Sequence, residues 1–177
     1  LPEDYYSRKL SAGKLFRVYE VAPPRVRRYL QAEIDFVLSR TAATDLVLEL
    51  GCGYGRVLKP LSRAAHDVIG IDTSQSSLLS ARDYLKGITN CHLADMNAIN
   101  LAFPDGVFDV VVCIQNGVSA FHVDRRRLIT ESVRVAAPGG TILFSSYAER
   151  FWDDRLEWFR IQSREGLLGE IDESRTG

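Results

Sequence analysis

One stretch limits the fold more than any other: Leu46-Val47-Leu48-Glu49-Leu50-Gly51-Cys52-Gly53-Tyr54-Gly55. A short apolar run ends in three glycines at alternate positions. A helical pattern follows, with Val57, Leu58, Leu61, Ala64 and Ala65 on one face. Pro60 sits inside that pattern and predicts an irregular first turn. Glycine adopts positive φ without steric penalty and lets a ligand approach the backbone. A strand that enters such a turn and leaves as a helix is half of a βαβ unit. In an open parallel sheet, the ligand crevice lies at the carboxyl ends of the strands.

The rest of the chain repeats the alternation. Residues 1–22 are polar with interspersed aromatics. Pro23-Pro24 opens a helix carrying Val26, Tyr29, Leu30, Ile34, Val37 and Leu38. Apolar runs at 68–72, 91–95, 108–114 and 141–146 read as further strands. Thr73 or Ser74 caps one intervening helix and Gly87 stops it; Asp124 caps another and Pro138-Gly139-Gly140 ends it. A last helix is expected over about 151–165. Buried strands bridged by amphipathic helices predict an α/β fold. The expected form is Rossmann-like and doubly wound, with a mainly parallel sheet and helices on both faces.

Composition narrows the function classes. The 177 residues are 46% hydrophobic and 25% charged, which suits one folded domain. A net charge of −1 argues against a nucleic-acid or membrane-surface binder. No apolar run approaches the ~20 residues of a membrane span. Cys52, Cys91, Cys113 and the three histidines form no metal-ligand pattern, so no metal is expected. The expectation is a cytoplasmic monomer or homodimer.

The acids at the strand ends carry the chemistry. Asp72 ends the second strand, 21 residues past Gly51, where it can accept hydrogen bonds from ribose hydroxyls. Asp95 ends the third and can accept from an adenine amine, with Met96 against the ring face. A nicotinamide dinucleotide fingerprint needs a third glycine where Arg56 stands. Glu49 beside the turn suits a cationic ligand better than a pyrophosphate. S-adenosylmethionine (SAM) carries an ammonium and a sulfonium but no phosphate.

Taken together, these elements resemble class I SAM-dependent methyltransferases over about residues 40–147. The match runs through Glu49 to Gly55, Gly70-Ile71-Asp72-Thr73-Ser74, Ala94-Asp95-Met96, Phe108-Asp109-Val110-Val111-Val112 and Ala137-Pro138-Gly139-Gly140. The resemblance implies that Glu49 and the backbone of Gly51, Cys52, Gly53 and Gly55 hold the methionine part of SAM. Asp72 would bind the ribose, with Thr73 beside it in the cofactor site, and Asp95 and Met96 the adenine. Ile114, Gln115 and Asn116 would lie below the sulfonium. An N-terminal lid would draw on Tyr6, Tyr19 or Arg25, with Arg25 pairing the methionine carboxylate.

The implied reaction moves a methyl group from SAM to an O, N or C atom of a small molecule and leaves S-adenosylhomocysteine (SAH). His122 is the candidate base. A SAM-binding module without transfer and a nicotinamide-dependent oxidoreductase are the alternatives. Cys52 reads as a packing residue, Arg125-Arg126-Arg127 as a solvated helix start, and Trp152 and Trp158 as core. The single domain divides into a lid (1–40), a SAM-binding core (41–147) and the start of a C-terminal region (148–177). Five strands are visible where the family sheet usually has seven, so the antiparallel hairpin is expected to be missing. With Met96 the only methionine, both ends are expected to be boundaries within a longer protein.

Overall fold

The computed structural model describes residues 12–115 and 117–172. Its centre is a five-stranded, all-parallel sheet: β1 (Leu46–Leu50), β2 (Asp67–Asp72), β3 (Cys91–Asp95), β4 (Phe108–Cys113) and β5 (Ala136–Phe144). The spatial order is β3-β2-β1-β4-β5. The order reverses direction beside β1, which puts a crevice above its carboxyl end. Val47 pairs with Val68 on one side and Val110 on the other. These strands are buried on both faces, which is why they read as apolar runs and not as alternating ones.

Helices cover both faces. On one side α2 (Pro24–Leu38), α3 (Leu58–Leu61) and α4 (Gln75–Tyr84) contribute Ile34, Val37, Leu58, Leu61 and Ala81 to a core with Val47, Val68, Val110 and Val112. On the other, α5 (Gly117–Ala120) adds Val118, and α6 (Arg125–Val135) packs Leu128 and Val135 against Leu48, Leu50, Ile71, Phe108 and Val111. Asp124 caps α6 by accepting from the Arg126 and Arg127 amides, and Ser74 caps α4 by accepting from the Ser77 amide. Both caps match the expectation from sequence.

Two expectations need correction. The helix after the glycine turn is a single turn, Leu58–Leu61, and residues 62–66 are turns. Pro60 has no N–H to return to the Arg56 carbonyl, so the helical ladder is broken where it should start. The fifth strand begins at Ala136 and ends at Phe144, not over 141–146. Helix α6 stops at Val135, and Pro138-Gly139-Gly140 lies within the strand. Phe108 pairs with Ala136 and Val110 with Thr141, so these residues form a bulge.

A third, smaller core lies apart from the sheet. Helix α1 (Ala12–Glu20), α2 and α7 (Trp152–Arg164) bring Val18, Ala22, Val26, Leu30, Phe151 and Trp158 together. The Trp158 indole donates to the Val18 carbonyl at 3.0 Å. This anchor holds α1 near the carboxyl end of the sheet.

The segment that follows β3 is tied down by Arg134 of α6. Its Nη1 donates to Phe103 O at 2.8 Å and Asp105 at 2.7 Å, and its Nη2 to Leu101 O and Glu131 at 2.8 Å each. Glu131 also accepts from the Leu101 amide at 2.8 Å. The guanidinium holds the Glu131 carboxyl down at about 2. A depressed carboxyl contributes stability above its ordinary value near 4.5 and loses it as pH falls toward 2. Glu131→Gln should therefore melt several degrees below the parent at pH 7, with the gap closing between pH 4.5 and 2. Thermal melts across that range check this; a gap that stays constant would remove the carboxylate from the network.

Candidate functional site

The glycine turn spends its amides internally. Gly51, Gly53 and Gly55 all adopt positive φ (74°, 54° and 89°). The Gly51 and Cys52 amides both donate to Ile71 O, at 2.8 and 2.9 Å. The Gly53 amide donates to Asp72 Oδ2 at 2.9 Å and the Gly55 amide to Cys52 O at 2.9 Å. A turn whose N–H groups are already bonded has few donors left for a phosphate; what its backbone offers a ligand is carbonyl oxygen.

Acids stand along the crevice. Asp72 and Asp95 are register partners at the ends of β2 and β3. The Asp72 carboxylate is fixed by the Gly53 amide on one oxygen and the Ser74 amide, at 2.8 Å, on the other. Asp95 is exposed and accepts from Gln75 at 3.5 Å. Met96 lies partly buried beside it, and its sulfur accepts from the Ala102 amide at 3.4 Å. Glu49 is buried within β1, and its Oε2 has no hydrogen-bond partner among the described residues. Burial pushes its carboxyl well above the ordinary range, Arg56 pulls it back, and Asp72 pushes it further up.

Helix α1 lies against this end of the crevice. The Tyr19 hydroxyl of α1 donates to Gln115 Oε1 at 3.0 Å, and the Arg56 guanidinium lies 4.6 Å from the Tyr19 ring centroid. Burial raises the Tyr19 hydroxyl above its ordinary value, and Arg56 opposes that. Gln115 has φ 60°, and its amide donates to Ser145 Oγ at 2.8 Å. Leu15 of α1 lies 3.1 Å from where a Cβ on Gly53 would fall. A Cβ on Gly51 would fall 2.4 Å from Phe121, whose ring forms part of the same wall.

The structure thus brings together Glu49, the glycine turn, Asp72, Tyr19 and Gln115. Ile114 follows β4, and Thr73 is exposed beside Asp72. Arg25 is engaged elsewhere: it is exposed and its Nε pairs with Asp154 of α7 at 3.0 Å. His122 is exposed in a turn at φ 51°. Tyr6 and Asn116 lie outside the described residues. Cys52 packs beneath the turn against Gly70, and burial raises its thiol, which suits a packing role. Arg56 and Glu33 went unnoticed as site residues in the sequence. Arg56 had a signal, being the first charged residue after the glycines. Glu33 had none, because an acid in the middle of an amphipathic helix reads as solvated.

Glu33 lines a cleft of about 430 Å³ between α2 and the ends of β4 and β5, with Tyr29, Phe36, Ile114, Ile142 and Phe144. The Ser145 hydroxyl donates to Glu33 Oε1 at 2.5 Å, and Oε2 has no hydrogen-bond partner among the described residues. Burial raises this carboxyl as well.

A family model described as a methyltransferase domain matches residues 47–140. The chain is 31% identical over 143 residues to a 2-methyl-6-phytyl-1,4-hydroquinone methyltransferase of Synechocystis, covering 75% of this chain and 43% of that protein. It is 31% identical over 138 residues to a ubiquinone biosynthesis O-methyltransferase of Methylococcus capsulatus, covering 76% and 54%. The YcgJ protein of Bacillus subtilis superposes with a TM-score of 0.59 at 26% identity, over 64% of this chain and 50% of that one. The chain spans about half the length of the curated relatives it matches.

Proposed function

The chain belongs to the methyltransferase-domain family, class I and SAM-dependent, and we propose that it binds SAM in the β1–β3 crevice and transfers the methyl group to a small molecule. The observation that carries this reading is the row of carboxylates at the strand ends beside a turn with spent amides. Such a crevice accepts hydroxyls, amines and cations, and it repels the pyrophosphate of a dinucleotide. The buried, unpartnered Glu49 oxygen fits an ammonium, and the oriented Asp72 carboxylate fits a ribose diol.

When bound, SAM supplies a methyl group already activated on sulfur. The chain's part is to position and to dry the site. Asp72 holds the ribose, Asp95 and Met96 the adenine, and Glu49 the ammonium. Tyr19 covers the crevice, and its bond to Gln115 fixes the side chain that follows β4. Positioning of this kind contributes roughly 7–11 kcal/mol to barrier lowering in favourable cases. The cleft beside Gln115 suits an apolar acceptor, with Glu33 as its ionisable wall residue. The names of the relatives support O, N or C acceptors of small-molecule size.

Calorimetric titration tests the reading. SAH should bind with micromolar affinity and NAD should not; the reverse would overturn it. Glu49 adds a pH signature. A carboxyl held up by burial must lose its proton to receive an ammonium, so affinity should rise as pH climbs through a value above 4.5, with proton release on binding. Glu49→Gln should weaken SAH binding about tenfold and flatten that dependence. A parental pH profile in this variant would remove the ammonium role.

A further inference from the structure

Four side chains near Tyr19 contain buried polar atoms with no hydrogen-bond partner among the described residues: Glu33 Oε2, Glu49 Oε2, Arg56 Nε and Nη2, and Gln115 Nε2. Leaving such atoms unmatched is costly, and each calls for an explanation in a native fold. Glu33 lines the cleft beside α2, which leaves one acceptor carboxylate, Glu49, beside donors from a guanidinium and an amide. That inventory is complementary to a zwitterion, an α-ammonium for the acid and an α-carboxylate for the donors.

The position of the unmatched atoms on Arg56 is specific. Nε and Nη2 form the side edge of the guanidinium, where two N–H bonds run parallel and match the two oxygens of a carboxylate. Neither atom is bonded to Glu49, although the charges are close enough for Arg56 to lower the Glu49 carboxyl. Tyr19 fixes the plane of the group from one side at 4.6 Å. Arg25 is paired with Asp154.

We infer that Arg56 holds the α-carboxylate of the cofactor's amino-acid part through its Nε and Nη2 edge, beneath Tyr19. The inference rests on the reading that the crevice takes SAM. It assigns to the residue after the glycine turn a role that a purely structural strap for Tyr19 would not have.

The test compares two ligands by calorimetry on the full chain. SAH carries the amino-acid part; 5′-methylthioadenosine has the same nucleoside and a thioether but lacks it. Arg56→Lys retains the charge and loses the fork, and Arg56→Met loses both. Both variants should weaken SAH by about tenfold or more and leave methylthioadenosine within about twofold. Equal losses for the two ligands, or no loss for SAH, would overturn the assignment. The unsubstituted chain gives a second measurement that needs no variant: decarboxylated SAH should bind about tenfold more weakly than SAH. Equal affinity there would overturn it too. If the unsubstituted chain binds neither SAH nor methylthioadenosine, the SAM reading itself fails, a result distinct from either outcome above.

Discussion

Asp72→Ala should weaken SAH binding by at least about tenfold, and by about a hundredfold if both ribose hydroxyls bond to the carboxylate. Hydrogen bonds to a charged acceptor contribute roughly 1.5–3 kcal/mol each, and 1.4 kcal/mol is tenfold in affinity. The carboxylate is held in place before any ligand arrives, by the Gly53 amide at 2.9 Å and the Ser74 amide at 2.8 Å. Little ordering cost is then left to oppose binding. The same bonds mean that alanine also frees two amides and loosens the turn. A 2′-deoxy analogue of SAH separates the two effects. In the parent it should bind more weakly than SAH; in Asp72→Ala the two ligands should bind alike. A variant that still prefers SAH over its 2′-deoxy analogue by the parental ratio would place the ribose elsewhere.

How far the sequence goes is clearest at particular residues. The strands β1 and β3 were legible to the residue: β1 is an apolar run buried beneath the covering helices, and β3 is a short, half-buried edge strand that closes on Asp95. The acids Asp72 and Asp95 were legible because each closes its strand. β5 was not, because Pro138-Gly139-Gly140 reads as a stop when taken alone. It becomes a bulge only because β4 pairs on both sides of it. Of the residues expected to cover the crevice, Tyr19 lies against it and Arg25 is paired with Asp154. Tyr19 reaches the crevice because Trp158, 139 positions later, fixes the Val18 carbonyl one residue before it. Pairings at such separation leave no periodicity to read. Arg56 was visible only as a missing glycine. Its unmatched donors become apparent when Tyr19, Glu49 and Gln115 are seen around it.

Gly70 is the position where a single added carbon should disturb both the fold and the site. It lies in the middle of β2, paired with Glu49 on one side and Leu93 on the other. A Cβ there would fall 2.4 Å from Leu58 Cδ1, 2.9 Å from Cys52 Cβ and 3.0 Å from Cys52 Sγ. Leu58 is fully buried, and Cys52 is part of the turn, so neither yields without moving its surroundings. Glycine inside a strand costs stability, and here the close approach of α3 and the turn to the sheet requires it. Gly70→Ala should destabilise the fold by about 1–3 kcal/mol, as overpacking does, and should also weaken SAH binding, because the displaced Cys52 carries Gly51 and Gly53 with it. Gly87→Ala is the matched control. Gly87 has φ 87° and open space at its Cβ, so alanine there strains the backbone without pressing on the turn. It should lower the melting temperature and leave SAH affinity unchanged. If Gly70→Ala behaves like Gly87→Ala, losing stability alone, the turn is not seated on β2 through this contact, and its geometry is set by the Ile71 carbonyl and Asp72 instead.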